Sequence, residues 1–256
     1  MLVCPFLPIS VMKTIPLATA CAALLALCAS NTTQAAPPVT APDRMVEALH
    51  RAAPALDRKV LSMAARAMTC SLRRGDTTPA NRLSVIDYSR PSTQPRLWVF
   101  DLDKQRLLFE EWVAHGRNTG ENLATRFSNA TGSYMSSLGA FQTEESYVGG
   151  NGYSLRLRGL EPGFNDKARE RAIVIHGAPY VSNDLIRAQG RLGRSLGCPA
   201  VRTAVARPLI DTIRGGSFVF AYYPDPEWLR HSPLLSADCG TGAATQGQAA
   251  VHAGGH

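Results

Sequence analysis

The chain has 256 residues, enough for one ample domain or two small ones with a substantial buried core. Hydrophobic residues make up 45% and charged residues 18%, and 21 Gly with 17 Pro is ordinary for a loop-rich globular protein, so a fibre or a wholly disordered chain is excluded. The formal charge of +7 favours anionic partners, but the basic residues are scattered and no zinc-finger or helix-turn-helix spacing occurs, which argues against nucleic acid.

Residues 1–35 read as a secretory signal peptide, with Lys13 ahead of an apolar stretch at 15–29 and small residues around Ala35 and Ala36. The apolar stretch is shorter than the roughly 20 residues a membrane span needs, so no stable membrane insertion is expected after cleavage. Lipidation is disfavoured, because bulky Leu27 precedes Cys28 and Cys21 comes too early in the apolar run. Loss of the leader reduces six cysteines to Cys70, Cys198 and Cys239, an odd number for an oxidising compartment. Either Cys70 pairs with Cys239 or all three are free thiols.

A Pro-rich linker at 36–43 leads into a helical segment at 44–75, where Met45, Leu49, Leu56, Val60, Leu61, Ala64 and Met68 recur at helical spacing and Pro54 splits the run into a hairpin. From 76 to 235 the texture is that of a mainly β domain, with predicted strands at 83–88, 97–101, 107–114, 140–143, 154–158, 172–176 and 217–223. One helix is predicted at 203–214, its start displaced or its axis kinked by Pro208 and its end marked by Gly215 and Gly216. The Gly, Ala, Gln and Thr of 236–256 read as a disordered tail.

Chemistry concentrates in two segments: the apolar strand ending Ile175-His176-Gly177, and Gly193-Arg194-Ser195-Leu196-Gly197-Cys198-Pro199-Ala200. A thiol nucleophile needs a base for its proton and backbone N–H groups for the oxyanion formed on attack. His176 at a strand end supplies the first, and the amides of Gly197 and Cys198 are candidates for the second. The competing reading is a small buried Cys and a structural His, with His115 in Ala114-His115-Gly116 as a rival base.

His176-Gly177 followed by Ser195-Leu196-Gly197-Cys198 resembles the signature of the L,D-transpeptidase (YkuD-like) catalytic domain family. It is most similar to a divergent branch with a Gly-Arg-Ser-x-Gly-Cys-Pro-Ala pattern. Phe127-Ser128-Asn129, Ser136-Ser137-Leu138-Gly139 and Gly152-Tyr153-Ser154-Leu155 extend the resemblance, which covers roughly residues 82–223. Leu196 stands where the signature has a second His, and Ala200 where it has Arg or Asn.

The resemblance implies a β-sandwich preceded by the helical hairpin, and a periplasmic enzyme acting on peptidoglycan stem peptides. Cys198 forms a thioester, His176 is base and then acid, and the Gly177 carbonyl orients the imidazole. Water as acceptor makes the same site an L,D-carboxypeptidase. A wall amidase using the same Cys/His pair and a catalytically silent peptidoglycan-binding protein also fit these residues. Arg194, Arg191 and Arg202 are candidate clamps for a stem carboxylate, with Ser195 and Tyr153 as further candidate contacts. Carbapenems are expected covalent inhibitors. No cofactor is expected, and no His or Cys pair has metal-ligand spacing.

Overall fold

The computed structural model describes residues 41–239. The expected signal peptide, residues 36–40 of the linker and the tail beyond 239 lie outside the described residues. Helix α1, Ala41–Ala52, begins inside the stretch read as linker, and α2 spans Arg58–Arg74, with Pro54 in the break between them. Asp57 caps α2 by accepting from the Lys59 and Val60 N–H groups, and Gly75, at φ 75°, ends it in the left-handed conformation glycine tolerates. Val60, Leu61, Ala64 and Met68 make the buried face of α2, which packs against the sheet.

The strands are β1 Arg82–Asp87, β2 Leu97–Asp101, β3 Arg106–Glu111, β4 Gly139–Gly149, β5 Gly152–Gly159, β6 Val174–Ala178, β7 Ala200–Arg202 and β8 Phe218–Tyr222. Three helices complete the described fold: α3 Asn183–Gln189, α4 Thr203–Ile213 and α5 Pro226–His231. The strands hydrogen-bond in the order β3-β2-β1-β8-β4-β5-β6-β7. β1–β8 and β6–β7 are parallel and the other pairs antiparallel. The result is the mainly β, sandwich-like fold expected, with two helices ahead of it. Because β1 and β2 lie within the core, Leu83, Val85, Trp98 and Phe100 are all buried.

Several local expectations change. Strand β3 stops at Glu111 because Ala114 leaves it to bridge Ala200. Helix α4 starts at Thr203 and runs through Pro208, which forgoes one helical hydrogen bond without moving the start. β7, α3 and α5 are elements that the sequence pattern does not announce. Among the cysteines, Cys70 and Cys239 form a disulfide that ties residues 236–239, the beginning of the expected tail, to α2, and Cys198 is a buried free thiol.

The β6–β7 pair explains the 22-residue separation of His176 and Cys198. Parallel neighbours need a crossover connection, here carrying α3, so the chain returns to the same end of the sheet before it enters β7. The residues just before β7 thereby lie beside the start of β6.

Candidate active site

His176 pairs with Ala200 across β6 and β7. Counting back two residues sets Cys198 beside Val174, and the Val174 N–H donates to Cys198 Sγ at 3.5 Å. The register sets the two residues diagonally across the β6–β7 pair, with Cα positions about 8 Å apart from ordinary strand spacing and rise. Cys198 also donates to the Ala172 carbonyl at 3.7 Å. The turn ahead of β7 is held by Ser195, whose Oγ accepts from the Gly197 N–H at 3.0 Å and donates to the Cys198 carbonyl at 2.7 Å. Gly197 sits at φ 124°, where a side chain is strained, and a Cβ there would lie 2.8 Å from the Met135 carbonyl.

The His176 ring is oriented by its own strand: Nδ1 lies 3.0 Å from the Gly177 carbonyl. A carbonyl only accepts, so neutral imidazole carries its proton on Nδ1 and presents the Nε2 lone pair, which has no hydrogen bond among the described residues. Gly177 is required on the opposite face, where an added Cβ would come within 2.8 Å of the Ala206 methyl in α4. Burial pulls the His176 pKa below the ordinary imidazole range, and the Gly177 hydrogen bond opposes this. Burial likewise pushes the Cys198 thiol up, against the Val174 N–H and the Arg171 guanidinium. Both shifts favour the neutral thiol and the neutral imidazole over the charged pair.

The rival His115 has no such freedom. It is buried, with Arg96 Nη2 donating to Nδ1 at 2.8 Å and Nε2 3.2 Å from the Gly120 carbonyl, so both nitrogens are engaged. Desolvation and the Arg96 charge pull its pKa down to about 3.

The expected substrate contacts are redistributed. Arg191 and Arg194 both pair with Glu121, at 2.9 and 2.6 Å, and Arg202 pairs with Glu111 through two short bonds of 2.8 and 2.6 Å. These acids were hidden by sequence distance. Ser195 spends its hydroxyl on the turn. Tyr153 lies on the sheet face opposite Ser154, the partner of His176, and its hydroxyl donates to Asp211 of α4 at 2.5 Å. Strand alternation therefore carries Tyr153 away from the His176 face. Of the two expected oxyanion amides, that of Gly197 is taken by Ser195, while that of Cys198 has no hydrogen bond among the described residues. Ala200 is fully buried, so the place of the signature Arg or Asn lies inside the sheet.

Other residues enter that the sequence did not single out. Arg171 binds the Ser128 and Met135 carbonyls and the Ser137 hydroxyl, at 2.8, 2.6 and 2.5 Å, and its charge is felt by Cys198. Tyr180, its pKa pushed up to about 12 by burial and the nearby Cys198, packs against Gly193. Arg117 follows Gly116, which abuts Gly197, and its guanidinium stacks 4.2 Å over the Tyr134 ring. It has no carboxylate partner among the described residues. Leu196 is 58% exposed on the turn itself.

The family model for the L,D-transpeptidase catalytic domain matches residues 52–222. No match is found among curated protein sequences. Among solved structures, an L,D-transpeptidase from Mycobacterium smegmatis is 14% identical, with 57% of this chain and 60% of that chain covered and a TM-score of 0.37. The L,D-transpeptidase LdtMt1 in complex with imipenem is 14% identical, with 56% and 59% covered and a TM-score of 0.35. An L,D-transpeptidase from Stackebrandtia nassauensis is 15% identical, with 71% and 77% covered and a TM-score of 0.34. This chain thus spans about 60% of the length of the first two. The family match extends over more than half of the chain and contains His176, the Ser195 turn and Cys198, and the protein belongs to the L,D-transpeptidase catalytic domain family.

Proposed function

We propose that the chain is a periplasmic, cysteine-dependent L,D-transpeptidase acting on peptidoglycan stem peptides. The observation that carries this reading is the placement of the free thiol Cys198 beside the strand of His176, whose Nδ1 is committed to Gly177 and whose Nε2 is open. In the reaction, Sγ attacks the carbonyl of the residue before the terminal D-Ala while Nε2 takes the thiol proton. The oxyanion is received by the Cys198 N–H. Collapse breaks the C–N bond, the imidazolium returns its proton to the leaving amine, and D-Ala departs from a thioester. An acceptor amine then attacks the thioester, loses a proton to His176 and expels the sulfur.

Arg117, exposed beside the turn and lacking a carboxylate partner among the described residues, supports assignment of the donor carboxylate to this side chain in place of Arg194. Its stacking on Tyr134 leaves the guanidinium edge available for paired hydrogen bonds. The secretory leader read at 1–35 supports a periplasmic address, and among the described residues no helix is long and apolar enough to cross a membrane.

The test is incubation with a disaccharide carrying a tetrapeptide stem. Release of D-Ala with a crosslinked dimer supports the proposal, and release with a free tripeptide shifts the function to L,D-carboxypeptidase. Absence of both products, with no adduct on Cys198 from a carbapenem, rejects the enzyme reading and favours a wall-binding protein.

A further inference from the structure

We infer that Ser136 is a positioning residue that aims the Cys198 N–H at the oxyanion, an inference that rests on the proposed role of Cys198. Ser136 is buried in the loop ahead of β4, far in sequence from the Cys198 turn, and its Oγ donates to the Gly197 carbonyl at 3.0 Å. The same oxygen accepts from the Gly116 N–H at 3.0 Å. The Gly197 carbonyl can only accept and the Gly116 N–H can only donate, so the hydroxyl proton goes to Gly197, with the buried Tyr88 side chain also lying against Ser136.

The Gly197 carbonyl and the Cys198 N–H belong to one peptide unit. In a trans planar amide these two groups point in opposite directions, so a bond that fixes the oxygen also fixes the N–H. Ser136 holds the oxygen inward; the Cys198 N–H accordingly faces the other way, and it has no hydrogen bond among the described residues. Gly197 at φ 124° permits that plane, and the Ser195 hydroxyl supports the turn on either side of it.

Ser136 is itself held. Its N–H donates to Thr119 Oγ1 at 2.8 Å, and Arg171 binds the flanking Met135 carbonyl and Ser137 hydroxyl. Gly116 presses so closely that an added Cβ would lie 2.9 Å from the Gly197 Cα. A donor aimed before reaction needs no reorganisation when negative charge appears on the oxyanion, which is the condition under which such donors contribute most.

The experiment compares two reactions of the same sulfur in the full chain. Acylation by imipenem passes through an oxyanion; alkylation by iodoacetamide does not. Adducts are mapped to the Cys198 peptide by mass spectrometry. Ser136→Ala is expected to slow acylation about ten- to hundredfold while alkylation stays within about threefold of wild type, short of the full loss of an oxyanion donor. Ser136→Thr, which keeps the donor, is expected to restore acylation to within about threefold of wild type by the same reasoning. Unchanged acylation in Ser136→Ala, an equal fall in both reactions, or a threonine variant as slow as alanine overturns the inference. If wild type is alkylated but never acylated, the proposed function fails first and the inference falls with it.

Discussion

Two strand-end segments carry the same dipeptide, His115-Gly116 beyond β3 and His176-Gly177 within β6, and their surroundings give the two imidazoles opposite chemistry. At His115 a buried guanidinium points at Nδ1 and a carbonyl takes Nε2, so the ring is locked neutral and both nitrogens are consumed. At His176 the carbonyl takes Nδ1 instead, and Nε2 is left for a proton from outside the ring. On the proposed reading, His176 qualifies as the base because its Nε2 has no hydrogen bond among the described residues. The same contrast separates the arginines: Arg202 pairs with Glu111 and Arg191 and Arg194 share Glu121, while Arg117 has no carboxylate partner among the described residues.

The contrast can be broken most severely at the sulfur. Cys198→Ala is expected to lower donor turnover by about 10⁴-fold or more, with the thermal transition close to that of wild type because one small side chain is lost. Turnover surviving above about 1% of wild type would contradict it. His176→Ala is expected to cost about 10²- to 10⁴-fold at neutral pH, with a residual rate that climbs as hydroxide replaces the base. In His115→Ala the thiol chemistry is expected to persist, and stability to fall by about 2–3 kcal/mol because Arg96 keeps its burial and loses an acceptor. Calorimetry with parallel acylation kinetics checks both halves.

A smaller effect belongs to pH. His115 is held well below its unfolded value, so its contribution to stability is present above about pH 6.5 and is lost as pH falls toward 3. The denaturation midpoint of wild type is expected to decline over that window, and His115→Gln to flatten the decline. His176 and Cys198 are shifted apart, so alkylation of Cys198 is expected to keep rising above pH 9, the ordinary thiol value. A plateau of thiolate reactivity already below pH 7 would mean a standing ion pair. Smallest is Arg117→Ala, expected to raise KM for a tetrapeptide donor about tenfold with kcat little changed, as for loss of one exposed charged contact.

Much of the fold was legible because strands such as 97–101 alternate or run apolar between clear turn residues, and the helical hairpin declares itself by period and by Pro54. β7 was not, since three residues carry no periodicity; its existence follows from the crossover that brings Cys198 home. In the site, His176, Gly177 and Cys198 stood out because a short motif places them. The expected clamps Arg194 and Arg202 could not be judged locally: their acids lie 73 and 91 positions away. The fate of His115 likewise depends on Arg96, whose approach to the ring is a tertiary fact. Ser136 and Arg171 act through backbone atoms of loops remote in sequence, a kind of contact that residue types do not announce.

The central claim, that Cys198 and His176 act together on a stem-peptide carbonyl, is tested most directly by trapping the acyl-enzyme. Wild type mixed briefly with a tetrapeptide-stem donor and quenched in acid should carry a tripeptide-stem thioester on the Cys198 peptide, absent from Cys198→Ala and formed slowly by His176→Ala. Donor consumed with Cys198 unmodified, or an acyl group found on any other residue, would contradict the account.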